Sequence, residues 1–280
     1  MRILITGGSG DLGRPLSRIA ASQHEVLATF FRTSHIGGGQ AAQLDIRDGD
    51  SVLQLVGVFQ PDAIIHTVTA NHGPDDVGEV DVLGASHIAD AAARYSAYLI
   101  ALSTDMIFDG TRAPYREDAP PAPLSAYAEA KVAMERHIRE RCPASLIVRT
   151  SLIYDFDRRN RQVSWMIRRI DAGQPVPLFV DEIRQPIWAQ NLAKALVELV
   201  EVRPLGVLNV AGGEAISRWN YGRALLQTFG FDPDENTLKA QAAELAPQRP
   251  RDCSLVLDKA ERLLSTPLLS LAEATTFHQG

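Results

Sequence analysis

The sequence predicts an α/β fold in which helices cover both faces of a doubly wound parallel sheet. Short apolar runs alternate with amphipathic helical segments through the first half of the chain. Parallel strands need crossover connections, and in such an alternation the helices provide them. With 280 residues, 45% of them hydrophobic and 22% charged, the chain is long enough to bury a substantial core.

Each element follows from a local pattern. Short apolar runs predict strands over residues 2–5, 24–31, 63–68, 98–103, 146–153 and 207–210, with a further strand before Leu44. A 3.6-residue apolar period predicts helices over 11–21, 51–58, 79–95, 125–141, 163–172 and 192–202. We expect residues 1–153, completed by about 186–211, to form a nucleotide-binding lobe. Residues 154–185 and 212–280 are expected to form a smaller, mostly helical substrate lobe.

Charge and cysteine content limit the classes of partner. The 28 Lys+Arg and 34 Asp+Glu residues give a formal net charge of −6 without a basic cluster, which argues against nucleic acid or an anionic membrane as the main partner. The two cysteines, Cys142 and Cys253, exclude a disulfide framework and favour a cytoplasmic location. Every apolar run is shorter than the roughly 18–20 residues of a membrane span.

A glycine-rich loop, Thr-Gly-Gly-Ser-Gly-Asp-Leu-Gly, lies between the first predicted strand and the first predicted helix. Its glycines include Gly7, Gly10 and Gly13, with Asp11 and Leu12 between the last two. Glycines at these positions permit a tight turn, let backbone N–H groups approach a pyrophosphate and allow close helix–strand packing. Because the loop follows a strand and opens a helix, we interpret it as a dinucleotide site and not as a turn without a ligand.

The type of dinucleotide depends on the end of the second strand. An acid there usually binds the ribose 2′-hydroxyl of NAD, whereas an arginine suits the 2′-phosphate of NADP. Arg32 stands at this end without an acid, so we expect NADPH, with NADH as the alternative; a solvated loop position is the other interpretation of Arg32. Asp45 and Ile46 follow the third strand. Asp45 either accepts a hydrogen bond from the adenine amino group or caps the helix at Ser51.

Tyr127 and Lys131 are candidates for proton transfer. They are four residues apart near the start of a helix that Ser125 would cap, so the phenol and the ammonium share one helix face. A nearby ammonium stabilises a phenolate and makes the phenol a usable proton donor near neutral pH. Thr104 and Asp105 end an apolar strand, and ligands of open α/β sheets bind at such ends. The Thr104 hydroxyl could bind a substrate carbonyl oxygen, or the cluster could simply close the strand.

These motifs together resemble those of the extended short-chain dehydrogenases/reductases, and among them the dTDP-4-dehydrorhamnose reductases. Six of the eight residues in segment 103–110 agree with that family's Ser-Thr-Asp-Tyr-Val-Phe-Asp-Gly. Segments 115–131, 148–151 and 249–258 fit the family as well, so the resemblance spans essentially the whole chain.

The resemblance implies a Rossmann-type lobe that binds NADPH and a small lobe that binds a nucleotide sugar. The 4-keto group of that sugar would be reduced. Tyr127 would donate the proton, Thr104 would orient the carbonyl and Lys131 would hold the nicotinamide ribose. Asp105 would help to order the site.

Other candidate residues have weaker support. Arg184 and Arg249 suit a substrate diphosphate, because a guanidinium matches phosphate geometry, and a solvated face is the alternative. His66 lies on a buried-strand pattern and is interpreted as a core residue and not as a metal ligand. His72, close to two aspartates, lacks the spacing of a metal site, so we expect no metal. The expected partner is a nucleotide sugar, and the chain is compatible with a homodimer.

The sugar pocket departs from the family pattern. Residues 67–70 differ from the usual Asn-Ala-Ala, Asp81 replaces an Asn, Leu152 replaces a Trp, and loop 181–187 is altered. Two other functions therefore stay open. One is a non-catalytic NADP-binding regulatory subunit similar to the β subunit of methionine adenosyltransferase. The other is a nucleotide-sugar epimerase or dehydratase, although Asp105 is not followed by the glutamate that such dehydratases typically carry.

Overall fold

A seven-stranded parallel sheet organises the computed structural model, which describes residues 1–70, 78–246 and 248–279. His72 and its neighbouring aspartates lie outside the described residues. The strands are β1 (Arg2–Thr6), β2 (Glu25–Phe30), β3 (Gln40–Gln43), β4 (Ala63–His66), β5 (Tyr98–Thr104), β6 (Ser145–Thr150), β7 (Ile153–Tyr154), β8 (Val176–Phe179), β9 (Ile183–Arg184), β10 (Ile187–Trp188), β11 (Gly206–Asn209), β12 (Ile216–Ser217) and β13 (Thr237–Ala240).

Helices connect these strands and cover the sheet. They are α1 (Gly13–Ala21), α2 (Gly49–Phe59), α3 (Ala85–Arg94), α4 (Ala126–Arg141), α5 (Arg161–Asp171), α6 (Ala189–Val202), α7 (Arg218–Thr228), α8 (Pro233–Asn236), α9 (Ala242–Leu245), α10 (Asp258–Leu263) and α11 (Leu271–Gln279). A π-helix, Gly78–Gly84, precedes α3, and a 3-10 turn, Asp105–Ile107, follows β5. Among the described residues, none of the helices is long and apolar enough to cross a membrane.

The sheet has the strand order β3-β2-β1-β4-β5-β6-β11, with every neighbouring pair parallel. The order reverses between β1 and β4, and in open α/β sheets a ligand crevice forms at the carboxyl ends of the strands at such a point. The predicted Rossmann-type doubly wound sheet is therefore confirmed.

Both faces of the sheet are buried by apolar side chains that alternate along each strand. Ile3 and Ile5 belong to a cluster that includes α1 and α6, whereas Leu4 belongs to a cluster with α2, α3 and α4. All seven residues of β5 are buried, as expected for a central strand covered on both faces. Near-continuous apolar runs were therefore a good predictor of these strands.

A third apolar cluster packs α5, α7 and α11 around Tyr154 and Trp188. Three pairs of very short strands accompany these helices: β8 with β13, β9 with β12, and β7 with β10. The sequence predicted helices and loops in this part of the chain and missed the short strands. Runs of two to four residues are too short to show an alternation of apolar and polar side chains.

Two predicted elements differ in the structure. The strand expected over 146–153 ends at Thr150, where Ser151 leaves the ladder and bonds with Asp105 and with the backbone of Gln185. The helix expected over 79–95 is divided into the π-helix and α3. The π-helix carries the buried carboxylate of Asp81, and apolar periodicity does not report such polar contacts.

A buried ion pair fixes α4 on the sheet. The guanidinium of Arg149 in β6 donates to Glu135 in α4 from Nε (3.0 Å) and from Nη2 (2.8 Å). The same carboxylate accepts a hydrogen bond from Ser103 Oγ (2.6 Å), and Arg149 Nη1 donates to the Glu117 carbonyl (2.9 Å). Both charged side chains are almost fully buried, so the charge of each one compensates the cost of removing the other from water.

Glu135→Gln should lower the free energy of unfolding by about 3–5 kcal/mol, because it leaves the Arg149 guanidinium buried without a counter-ion. Urea denaturation at pH 7 measures this change. The double variant Glu135→Leu/Arg149→Met should lose less than the single one. As a matched control, Asp90→Asn breaks the half-exposed Asp90–Arg141 pair (2.8 Å) and should cost less than about 1 kcal/mol. Equal losses at the two sites would contradict the importance of the buried pair.

His66 at the end of β4 is a core residue, as the sequence predicted. The residue is 1% exposed, and its Nδ1 lies 2.7 Å from Thr6 Oγ1. Burial lowers the pKa of His66 to about 3, and the Lys131 ammonium acts in the same direction while Asp81 opposes it. The folded protein therefore holds this imidazole neutral, whereas the unfolded chain protonates it near its ordinary pKa of about 6.5.

The stability that depends on neutral His66 is complete above about pH 6.5 and falls as the pH decreases, because the unfolded state then binds a proton that the native state does not. Between pH 7 and pH 5 the wild type should lose about 2 kcal/mol more than His66→Gln does. Parallel urea denaturation curves at the two pH values measure the difference. Equal losses in both proteins would mean that native His66 accepts the proton.

Candidate active site

A cleft with a volume of about 1160 Å³ runs across the carboxyl ends of β1 to β6. Residues from the far side, including Arg161 and Gln162, close it opposite the sheet. Every residue that the sequence singled out for catalysis, cofactor binding or substrate binding lines this cleft: Gly7, Gly10, Asp11, Leu12, Gly13, Arg32, Asp45, Ile46, Thr104, Asp105, Tyr127, Lys131, Arg184 and Arg249. Their individual roles stay predictions.

The glycine loop forms a tight turn against the start of α1. Gly7 has a φ of +83°, and its carbonyl accepts a hydrogen bond from the N–H of Gly10 (3.0 Å). A Cβ on Gly13 would lie 2.0 Å from that carbonyl oxygen, so a side chain there is excluded. Leu12 gives the helix no side-chain cap. Arg14 and Leu16 donate their N–H groups to the carbonyls of Gly10 (3.1 Å) and Leu12 (3.0 Å), and Pro15 has none, so N–H contacts to an anion such as a pyrophosphate must come from the loop residues before Arg14.

Asp11 joins the loop to the opposite side of the cleft. Its carboxylate accepts a hydrogen bond from the backbone N–H of Arg161 (3.0 Å), where α5 begins, and lies 3.4 Å from the guanidinium of Arg14. Asp11 thus connects the glycine loop and the start of α5, which both border the cleft.

Two arginines lie at the end of the cleft that follows β2 and β3. The guanidinium carbons of Arg32 and Arg47 lie 5.3 and 5.4 Å from the ring centroid of the exposed Phe31. Arg47 also donates hydrogen bonds of 2.7–3.1 Å to the carboxylate of Asp45. These bonds hold the pKa of Asp45 below its ordinary value. The sequence analysis did not identify Arg47, although it stands only two residues after Asp45.

The proposed capping role of Asp45 is wrong. The carboxylate of Asp48 accepts from the N–H groups of Asp50 (3.1 Å) and Ser51 (3.2 Å), and α2 starts one residue later, at Gly49. A cap must immediately precede the first helical residue, and Asp45 is three residues too early. The adenine interpretation of Asp45 stays a prediction.

Helix α4, which carries Tyr127 and Lys131, begins as predicted. Ser125 Oγ accepts a hydrogen bond from the N–H of Ala128 (3.3 Å), so Ser125 is the N-cap of α4. The ammonium of Lys131 lies 6.0 Å from the ring centroid of Tyr127, and both side chains line the cleft. The i,i+4 spacing therefore places the phenol and the ammonium on the same face, toward the carboxyl end of β5.

Lys131 makes a buried ion pair that the sequence analysis did not predict. Its Nζ lies 2.8 Å from Oδ1 of Asp81, and the two side chains are 3% and 0% exposed. The other Asp81 oxygen accepts a hydrogen bond from the N–H of Ala70 (3.1 Å). Lys131 has two longer contacts, to the Leu102 carbonyl (3.4 Å) and to Met134 Sδ (3.7 Å). The sequence marked Asp81 only as a departure from a family pattern.

Thr104 ends β5 and Asp105 follows it at the floor of the cleft. Thr104 Oγ1 accepts a hydrogen bond from the N–H of Met106 (3.2 Å) and so caps the 3-10 turn. Asp105 accepts a hydrogen bond from Ser151 Oγ (2.6 Å). Burial raises the pKa of Asp105, while the Arg184 guanidinium 4.0 Å away and the Ser151 bond oppose that change. Asp105 therefore links the ends of β5 and β6.

The two arginines predicted for a diphosphate have different surroundings. Arg184 is 1% exposed, donates to the carbonyls of Ile183 (2.9 Å) and Pro250 (3.3 Å), and lies 3.2 Å from Glu182. Arg249 has a 43% exposed side chain, with Nε 3.5 Å from the same carboxylate. The fully buried Glu182 thus lies between two guanidiniums. The sequence analysis did not identify Glu182, because it noted loop 181–187 only as a departure from the family pattern.

Among the described residues, no three His, Cys, Asp or Glu side chains form a group that could hold a metal ion. The two cysteines are buried and unpaired with each other.

Comparisons with known proteins agree with this arrangement. The family described as RmlD substrate binding domain matches residues 1–276. The dTDP-4-dehydrorhamnose reductase of Mycobacterium tuberculosis is 30% identical over 277 residues, which cover 95% of this chain and 88% of that protein. Methionine adenosyltransferase 2 subunit beta of Bos taurus is 26% identical, with coverage of 94% and 82%. The structure of dTDP-4-dehydrorhamnose reductase from Bacillus anthracis in complex with NADP is 25% identical, covers 98% of this chain and 96% of that chain, and superposes with a TM-score of 0.84.

Proposed function

The chain belongs to the RmlD substrate binding domain family, and from this premise we propose that it is an NADPH-dependent oxidoreductase that reduces the 4-keto group of a nucleotide-activated deoxy sugar. The proposal rests mainly on one observation: Tyr127, Lys131 and Thr104 line the same cleft as the glycine loop. A relative that is 30% identical over nearly the whole chain is a dTDP-4-dehydrorhamnose reductase.

The residues present fit NADPH, which when bound supplies the hydride for the carbonyl carbon. The glycine loop has no room for side chains: a Cβ at Gly7 would lie 2.7 Å from Thr67 Oγ1, and one at Gly13 would lie 2.0 Å from the Gly7 carbonyl oxygen. The loop backbone therefore lines the cleft directly, where a pyrophosphate would need to approach it. Arg32 and Arg47 lie together at the adenosine end, where a 2′-phosphate would need cationic partners. NADH lacks that phosphate and is the weaker candidate.

Tyr127 would donate its phenolic proton to the substrate oxygen, so that the carbonyl becomes a hydroxyl group. The Thr104 hydroxyl would bind the same oxygen and fix the carbonyl in the cleft. The Lys131 ammonium would stabilise the phenolate that remains and bind the nicotinamide ribose. Asp105 would keep Ser151 and the ends of β5 and β6 in place around Thr104.

The nucleotide sugar would extend toward Arg184 and Arg249. Arg249 is the better candidate for a diphosphate, because its side chain is 43% exposed whereas the Arg184 guanidinium is buried and engaged by protein oxygens. The division of the chain into a cofactor lobe and a substrate lobe, the cytoplasmic location and the homodimer belong to the same proposal as expectations.

A second function has support from similarity. The chain aligns over 94% of its length with methionine adenosyltransferase 2 subunit beta of Bos taurus. A regulatory subunit would bind NADPH and a partner protein without reducing a sugar. No comparable observation favours the epimerase or dehydratase function.

Tyr127→Phe should lower kcat about 10²–10⁴-fold, because it removes the proton donor, while leaving NADPH affinity unchanged. The loss of NADPH absorbance is followed with dTDP-4-keto-6-deoxyglucose, with and without a 3,5-epimerase. Tyr95→Phe, at the exposed end of α3, is the matched control and should keep wild-type turnover. Wild-type turnover in Tyr127→Phe would contradict the assigned acid. Tight NADPH binding by the wild type without turnover of any keto sugar would favour the regulatory function.

Arg32→Ala should weaken NADPH about 10–100-fold and NADH little, because a charge-assisted contact to the 2′-phosphate contributes about 1.5–3 kcal/mol. Fluorescence titration with both cofactors measures the two dissociation constants. Arg18→Ala, which removes an exposed arginine of α1, is the control and should change neither constant. If Arg32→Ala weakens both cofactors equally or neither, Arg32 does not read the phosphate, and Arg47→Ala becomes the next variant.

A further inference from the structure

We propose that Asp81 tunes the catalytic pair: its carboxylate offsets the field of the Lys131 ammonium at Tyr127 and keeps the phenol protonated to higher pH. Asp81 is then a positioning residue that acts through Lys131 and touches neither substrate nor cofactor. The inference rests on the function proposed above, because it assigns a regulator to the proton donor of that reaction.

The geometry of the pair carries the first step. The Asp81 Oδ1 to Lys131 Nζ distance is 2.8 Å, and both side chains are at most 3% exposed. Little solvent screens an interaction in such a place, so the carboxylate compensates much of the ammonium charge. The N–H of Ala70 fixes the other Asp81 oxygen at 3.1 Å, so the carboxylate is held from the β4 side while Lys131 approaches from α4.

The second step concerns Tyr127. Lys131 Nζ lies 6.0 Å from the Tyr127 ring centroid, and a cation at that range favours the phenolate. A carboxylate bound to the same ammonium weakens this effect. A reductase needs the phenol protonated, so Asp81 would extend activity toward alkaline pH and limit the loss of the donor proton.

Other ionisable groups near the pair have assigned partners or charge states. His66 of β4 is held neutral by burial, and Glu135 and Arg149 compensate each other beneath α4. Asp105 of the 3-10 turn and Arg184 of β9 lie 4.0 Å apart across the floor of the cleft. Among these groups Asp81 is the one in direct contact with the Lys131 ammonium.

The test compares Asp81→Asn with the wild type. Asparagine keeps the shape of the side chain and an oxygen for the Ala70 N–H, but it removes the charge. The alkaline limb of the kcat–pH profile should move down by about one pH unit, because the uncompensated ammonium stabilises the phenolate. Asp81→Glu keeps the charge and should keep the limb at its wild-type position. Asp90→Asn makes the same charge change at the surface pair with Arg141 and should not move it.

A second measurement needs neither turnover nor cofactor. Tyrosinate absorbance is titrated in the wild type and in Asp81→Asn, each against a version that also carries Tyr127→Phe, so that the difference isolates Tyr127 among the 6 tyrosines. The ionisation of Tyr127 should occur at lower pH in the Asp81→Asn background. If that variant does not fold, Asp81→Ser is also neutral and should give the same shift.

The two measurements separate the inference from the function. Unshifted ionisation of Tyr127 in the neutral variant overturns the role of Asp81, whether or not the wild type reduces a sugar. A downward shift supports that role. A wild type that binds NADPH but reduces no keto sugar overturns the proposed function alone, because the tyrosinate titration still decides the coupling of Asp81 to Tyr127.

Discussion

The buried ion pair between Glu135 and Arg149 is the constraint on which the active cleft depends. It joins the middle of α4 to β6, and the Ser103 hydroxyl adds a bond from β5 to the same carboxylate. Because α4 also carries Tyr127 and Lys131, the pair sets the height and rotation of these two side chains relative to the strand ends. Apolar packing alone would hold α4 on the sheet less specifically, since a helix face of Ala, Met and Ile tolerates small rotations. A bidentate guanidinium–carboxylate contact does not.

A second set of polar contacts ties the strand ends to the residues across the cleft. Asp105 binds Ser151, and Ser151 Oγ in turn accepts the N–H of Gln185. On the other side, Asp11 accepts the N–H of Arg161 at the start of α5. Both connections begin at residues that the sequence assigned to the site. Asp11 and Asp105 therefore position the walls of the cleft, and mutation of either would alter the site without removing a reacting group.

Local patterns in the sequence predicted the sheet, the covering helices and the set of residues that line the cleft. They succeeded because central parallel strands are apolar throughout, because a glycine loop has a fixed position between strand and helix, and because parallel strands end at one edge. They failed where a contact joins distant segments. β6 ends early at Thr150, where Ser151 bonds with Asp105, and the pairing of Asp81 with Lys131 spans fifty positions of the chain. Neither periodicity nor residue type encodes such partners.

The paired cations along the cleft show how these distant contacts shape the chemistry. Arg47 is held by Asp45 at the end of the cleft beside β2 and β3, Lys131 by Asp81 near Tyr127, and Arg184 and Arg249 by Glu182 at the far end. Each carboxylate fixes its cation in place and lowers the desolvation cost of keeping it in the cleft. Each also competes with an anionic ligand for the same N–H donors. A dinucleotide or a diphosphate that binds to such a cation must displace its carboxylate, so the free energy of binding includes the cost of breaking that ion pair. Solvent has the least access to the buried pair of Lys131 and Asp81, so Lys131 would stay bound to its carboxylate through the catalytic cycle. The more exposed Arg47 and Arg249 would instead bind the ligand.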